Sequence, residues 1–114
     1  MNTTPTAEKS STGLDANVAG ALSYVLGPFT GILFFVLEKE SKFVKFHAMQ
    51  SIITFIGLFV VSVVLGLIPI LGWILGFFLW LATLVLWLLL MFKAFQGEKF
   101  KLPVVGDIAE KQVG

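Results

Sequence analysis

Four polar side chains lie on one face of an otherwise apolar segment, and they are the residues in this chain best able to do chemistry. They are His47, Gln50, Ser51 and Thr54, at positions i, i+3, i+4 and i+7 of one predicted helix. Because histidine titrates near neutral pH, this polar strip could handle protons or line a substrate path. The interpretation that we favour is a cluster of hydrogen bonds between helices.

The other residue types do not complete a catalytic or metal site around the strip. The chain has no cysteine, His47 is its single histidine, and no Asp, Glu, Lys or Arg lies between Lys45 and Lys93. Acid–base catalysis and metal coordination would each need further groups of this kind near His47. We therefore expect a protein that is not an enzyme and has no cofactor. A net charge of +1 is too small to indicate nucleic acid as a partner.

The elements that must position the strip are membrane helices, since an apolar helix of about 20 residues crosses a bilayer. The hydrophobic segments predict an all-α integral membrane protein with three spans, at about 14–37, 46–68 and 71–95. Gly27-Pro28 interrupts the first segment, and proline lacks the amide donor of a helix, so this segment would be kinked or re-entrant. A polar tail precedes the helical domain 14–97 and another follows it, at residues 1–13 and 98–114. A capping box of Thr12 and Asp15 would begin the first helix.

Small residues predict where these helices pack, because close backbone contact supplies much of the association energy in lipid. Five of them follow one stripe of the first segment: Ala16, Gly20, Ser23, Gly27 and Gly31. Gly72 and Gly76 form a GxxxG motif in the last span. Trp80 falls near the middle of the bilayer, and we expect it against protein, in the groove that the glycines leave. Lipid exposure of at least one tryptophan is the competing interpretation.

The lysines indicate an orientation. Lys9 alone precedes the first apolar segment, whereas all others lie in the connection 38–45 or from Lys93 onward. Because lysine-rich loops stay on the cytoplasmic side, the carboxyl terminus is predicted to be cytoplasmic. Three spans would then place the amino terminus outside, and a re-entrant first segment would place both termini inside.

The sequence from Lys42 to Ser51, Lys-Phe-Val-Lys-Phe-His-Ala-Met-Gln-Ser, resembles the signature of a known family. This is a family of small, uncharacterised prokaryotic membrane proteins, grouped with the Tic-type import component of the chloroplast inner envelope. The agreement extends to residues 11–19 and 101–107. The resemblance implies an all-helical, multi-pass protein of a prokaryotic cell membrane and, for the plant relatives, a part in protein translocation. It brings no catalytic residues.

We therefore predict a non-enzymatic multi-spanning membrane protein that serves as a helical packing or assembly module, within a transport or protein-translocation complex. The alternative is a small oligomeric transporter or channel that uses the polar strip. Three helices cannot enclose a pore alone. Besides the lipid bilayer, the expected partners are thus further copies of the chain or another membrane protein.

Overall fold

The computed structural model describes Ser11 and residues 13–113. Five helices form this part of the chain: α1 Ala16–Leu22, α2 Pro28–Leu37, α3 Lys42–Gly66, α4 Leu71–Phe95 and α5 Val105–Val113. Helices α3 and α4 have 25 residues each and are long and apolar enough to cross a membrane. At 1.5 Å per residue each is about 37 Å long.

The first apolar segment is not a third span, so the prediction of three transmembrane helices is wrong. Among the described residues two helices qualify as spans. Residues 14–37 form instead the short helices α1 and α2, of 7 and 10 residues, which are separated by a turn at 23–27. Gly27 ends this turn with φ 62°, a backbone conformation that glycine adopts without a steric penalty. Pro28 then occupies the start of α2, where its missing amide donor costs little.

Helices α1 and α2 form a helical hairpin, which is the shape of a re-entrant segment and one of the two geometries that Gly27-Pro28 left open. At its base, the Ser11 amide donates to Glu38 Oε2 at 2.9 Å, so both ends of the segment meet beside the start of α3. At its tip, a Cβ on Gly27 would lie 3.5 Å from the Phe55 ring, which is about half-way along α3. The chain thus enters and returns at the same end of α3.

The carboxyl-terminal segment returns to this end as well. Asn17 Nδ2, in α1, donates to the Phe95 carbonyl at the end of α4, at 2.9 Å. Ser11 and α1 therefore lie at the same end as the close of α4, whereas three spans would place Ser11 at the opposite end. Thr12, half of the predicted capping box, lies outside the described residues, and α1 begins at Ala16 with Asp15 as its N-cap residue.

The packed core lies at the charged end of the molecule. All buried residues of α3 fall between Phe43 and Thr54, and most of its second half is exposed. In α4 the buried residues are Gly72, Leu90 and Ala94. The outer surfaces of both long helices are apolar, as hydrocarbon requires. The structure therefore has a packed core with buried polar side chains at one end, from which α3 and α4 extend as a pair.

The topology can be tested with single cysteines, because the chain has none of its own. Cysteines replacing Lys39 and Gln112, at the lysine-rich end, are expected to be protected from an impermeant maleimide in intact cells. A cysteine replacing Thr4 is expected to be protected as well, because the hairpin brings Ser11, further along the chain, to the same end. A cysteine replacing Ile70, in the α3–α4 turn, should be labelled. Labelling at Thr4 together with protection at Lys39 would contradict the re-entrant hairpin.

Candidate functional site

The polar strip is buried, and its hydrogen bonds converge on Tyr24 of the hairpin. The Tyr24 hydroxyl lies 2.6 Å from His47 Nδ1 and accepts a hydrogen bond from Gln50 Nε2 at 3.0 Å. All three side chains have no exposed surface. The sequence analysis did not identify Tyr24. Its one available signal was that it is the only tyrosine of the chain and lies in an apolar segment.

The same side chains hold residues 98–104, which we call the strap, across the face of α3. The Glu98 carbonyl oxygen is 3.0 Å from His47 Nε2, and the Phe100 carbonyl accepts from Gln50 Nε2 at 2.9 Å. The Leu102 amide donates to Gln50 Oε1 at 3.0 Å. Non-helical backbone next to lipid needs partners within the protein. His47 and Gln50 supply these partners to a strap that has no regular structure of its own.

The hydrogen bonds of His47 require a hydrogen on Nε2. The Glu98 carbonyl oxygen can only accept, so Nε2 is the donor of that hydrogen bond. In the neutral imidazole, Nδ1 then accepts the Tyr24 hydroxyl proton, while the Tyr24 oxygen accepts from Gln50. Both ring nitrogens of His47 therefore have hydrogen-bond partners within the protein.

The rest of the strip binds the tip of the hairpin or remains unpaired. Ser51 Oγ donates to the Gly27 carbonyl at 2.9 Å. From α4, Trp87 Nε1 donates to the Tyr24 carbonyl at 2.6 Å. Thr54 is 6% exposed, and its hydroxyl has no hydrogen-bond partner among the described residues. Three of the four predicted strip residues thus act together, and Thr54 stands apart.

The predicted small-residue stripe is divided by the turn, yet its glycines still face α3. A Cβ on Gly31 would lie 2.9 Å from the Ala48 carbonyl oxygen, so α2 and α3 are in close backbone contact there. At Gly20 the nearest atoms belong to His47 and Phe43, at 3.4 Å, which is an ordinary contact. Ser23 instead bonds its own helix through the Ala19 carbonyl, at 3.0 Å.

The two glycines of the GxxxG motif have different surroundings. Gly72 is buried against the end of α3, and a Cβ there would overlap the Leu65 carbonyl and lie 2.8 Å from Ile68 Cβ. Around Gly76 there is open space. Trp80 is 60% exposed, so within one chain it does not fill the groove beside the hairpin glycines.

The Glu38 carboxylate joins the two ends of the hairpin segment at its base. Its carboxylate is almost fully buried and accepts from the amides of Ser11, Glu40 and Ser41 and from the Ser11 hydroxyl. Burial raises the pKa of this carboxyl, but the hydrogen bonds from Ser41, Ser11 and Glu40 outweigh burial and hold the pKa below its ordinary value of 4.5. A carboxyl with a lowered pKa stabilises the fold above its ordinary pKa, and that stabilisation is lost as the pH falls through the folded-state pKa.

We expect Glu38→Gln to loosen the base of the hairpin at neutral pH, because an amide group cannot accept all four hydrogen bonds. Hydrogen exchange at the Glu40 and Ser41 amides should become faster. The stability difference from the wild type should shrink as the pH falls below 4.5 and through the folded-state pKa, where the wild-type carboxyl also becomes protonated. Glu40→Gln, at an exposed neighbouring position, is the control. Equal exchange in all three proteins would contradict this role of Glu38.

The fold and the buried network define a small all-helical protein with two helices that are candidate membrane spans, and with a helical hairpin and a strap at one end. Residues 10–109 match the model of the magnetosome magnetite crystal formation protein family, and the chain belongs to this family. No solved structure matches it significantly.

Curated relatives carry the name UPF0132 membrane protein. One from Methanocaldococcus jannaschii is 61% identical over 103 residues, which cover 90% of this chain and 93% of the relative. One from Archaeoglobus fulgidus is 59% identical over 98 residues, covering 86% of this chain and 95% of the relative. The expected prokaryotic membrane family is thus supported. These comparisons show no link to the Tic-type import component.

Proposed function

We propose that this protein is a non-enzymatic scaffold of a prokaryotic cell membrane, with its lysine-rich end and both termini in the cytoplasm. One observation carries the proposal: the side chains of His47, Gln50 and Ser51 form their hydrogen bonds with the hairpin and the strap. A polar group that is fully bonded within the fold organises the fold and is not free to bind a substrate. These three side chains of the strip therefore hold the hairpin and the strap against α3.

The surroundings of His47 support a structural role. The rings of Tyr24, Phe43 and Phe46 each present an edge-to-face contact to the imidazole, with centroids 4.6 to 5.5 Å apart. His47 itself has no exposed surface. A proton carrier or a substrate-lining residue would need a path by which water reaches the His47 imidazole. The transporter alternative would therefore require the strap or the hairpin to move away from α3.

The family description concerns magnetite crystal formation, and we do not extend it to this site. Residues 13–113 and Ser11 contain no group of three or more His, Cys, Asp or Glu side chains placed to hold a metal ion. The proposal thus rests on the buried network. Its partner is the bilayer together with another membrane protein or further copies of the chain, because nearly the whole apolar surface of α4 is uncovered in one molecule.

Two substitutions of His47 test the proposal. In a structural network, His47→Gln keeps a hydrogen-bonding group and should remain folded, with the wild-type cellular phenotype. His47→Leu leaves the Tyr24 hydroxyl and the Glu98 carbonyl without their partner, at a cost of about 1–3 kcal/mol for each buried group. Thermal unfolding in detergent should order the proteins as wild type, then His47→Gln, then His47→Leu.

Thr83→Val is the matched control, because the Thr83 hydroxyl bonds only the Leu79 carbonyl of its own helix, at 2.7 Å. Liposomes that contain the purified protein should show no flux of protons or small solutes. Proton flux that both His47 substitutions abolish without unfolding would favour the transporter and overturn the scaffold.

A further inference from the structure

The packed segments of the chain are unequally distributed along the two long helices. At the lysine-rich end, the hairpin, the strap and α5 all pack against α3 or α4. Toward the α3–α4 turn the surroundings change, and no residue in the ranges 62–71 and 73–82 is buried. The described part of the chain is therefore wide at one end and only two helices wide at the other.

The hairpin and the strap end at about the same depth along α3. Gly27, at the tip of the hairpin, lies against the Phe55 ring, and Pro103, near the end of the strap, lies close to Gly57. Phe55 and Gly57 are about 15–18 Å from Lys45 along the helix. Because the hydrocarbon region of a bilayer is about 30 Å thick, both segments end near its middle.

The outer surfaces of the two tips are suited to lipid. Leu26 and Phe29 at the tip of the hairpin are 64% and 75% exposed, and Val104 at the end of the strap is 68% exposed. In water these side chains would form exposed apolar patches, whereas lipid chains cover them in a membrane. The strap also has a bonded backbone at this depth, since the Leu102 amide donates to Gln50. Both tips therefore fit the hydrocarbon of one leaflet.

The geometry points to a wedge that favours curved membrane. Four helices and the strap occupy the leaflet at the lysine-rich end, whereas α3 and α4 alone cross the other leaflet. Each helix is about 10 Å wide, so the protein takes up more area in the first leaflet than in the second. A bilayer accommodates such a difference by bending, and the leaflet of larger area lies on the convex side. The membrane therefore bulges toward the lysine-rich end.

The direction of this curvature in the cell rests on the proposed function, which places the lysine-rich end in the cytoplasm. The membrane would then be convex toward the cytoplasm. In vesicles the effect depends on the shape of the molecule alone, so its absence there would leave the buried network and the scaffold proposal unchanged.

Membrane tubes pulled from giant phosphatidylglycerol vesicles test the wedge, because each orientation of the chain can be labelled separately. With a cysteine replacing Gln112, an impermeant fluorescent maleimide added outside labels only molecules whose lysine-rich end faces out. With a cysteine replacing Ile70, it labels only the opposite orientation. In a tube of about 20 nm radius, the Gln112 label should be enriched about twofold or more over a lipid dye, and the Ile70 label should be depleted.

Val104→Asp tests the contribution of the strap, because a carboxylate is costly in hydrocarbon and the tip should withdraw to the headgroups. The enrichment of the Gln112 label should then fall by about half. Gln96→Asp, which places a carboxylate at an exposed position of the lysine-rich end, is the matched control and should be sorted like the wild type. Circular dichroism should show both variants folded. The proposal is overturned if the two orientations enter the tube equally, or if Val104→Asp is sorted like Gln96→Asp.

Discussion

Replacing Gln50 by leucine is expected to detach the strap from α3. The Gln50 side chain accepts from the Leu102 amide and donates to the Phe100 carbonyl and the Tyr24 hydroxyl. Leucine has a similar volume but leaves the two backbone groups unpaired, at about 1–3 kcal/mol for each. The Tyr24 hydroxyl loses a donor as well, so the hairpin should loosen together with the strap.

Limited trypsin digestion measures this release, because Lys99 and Lys101 are in the strap and are exposed. Cleavage after these lysines should be markedly faster in Gln50→Leu, and the unfolding temperature in detergent should fall. Gln96→Leu, an exposed glutamine just before the strap, should behave like the wild type. If Gln50→Leu were cleaved no faster than Gln96→Leu, Gln50 would not hold the strap.

Gly72→Ala is expected to have the other large effect. The added methyl group would overlap the Leu65 carbonyl and approach Ile68 Cβ, and neither atom is at the end of a flexible side chain. The turn between α3 and α4 would have to open, at about 3 kcal/mol, the upper end of the usual cost of overpacking. The unfolding temperature in detergent should drop strongly.

Gly76→Ala tests the second glycine of the GxxxG motif independently of the first. No atom lies within 4 Å of the added Cβ, and alanine is the better helix former by about 1 kcal/mol. This variant should therefore be neutral or slightly more stable than the wild type. A loss of stability as large as that of Gly72→Ala would show that Gly76 packs against a further chain, which one molecule does not reveal.

The sequence by itself determined the class of the protein and three of the polar residues of its site, His47, Gln50 and Ser51. The uncharged run between Lys45 and Lys93 is long enough for two spans whatever it packs against, because crossing a bilayer depends on length and apolarity alone. The spacing of His47, Gln50 and Ser51 placed them on one face of α3, since helical periodicity is a local property.

Only the tertiary structure decided whether the first apolar segment crosses or returns. Gly27 and Pro28 permit both a kink and a hairpin, and the choice depends on contacts with Glu38, Ser51 and Trp87, which are distant in the chain. The partners of the strip could not be deduced for a similar reason. They are largely backbone groups of the strap and the hairpin, and every residue type has such groups, so no sequence pattern distinguishes the ones that fold against His47 and Gln50.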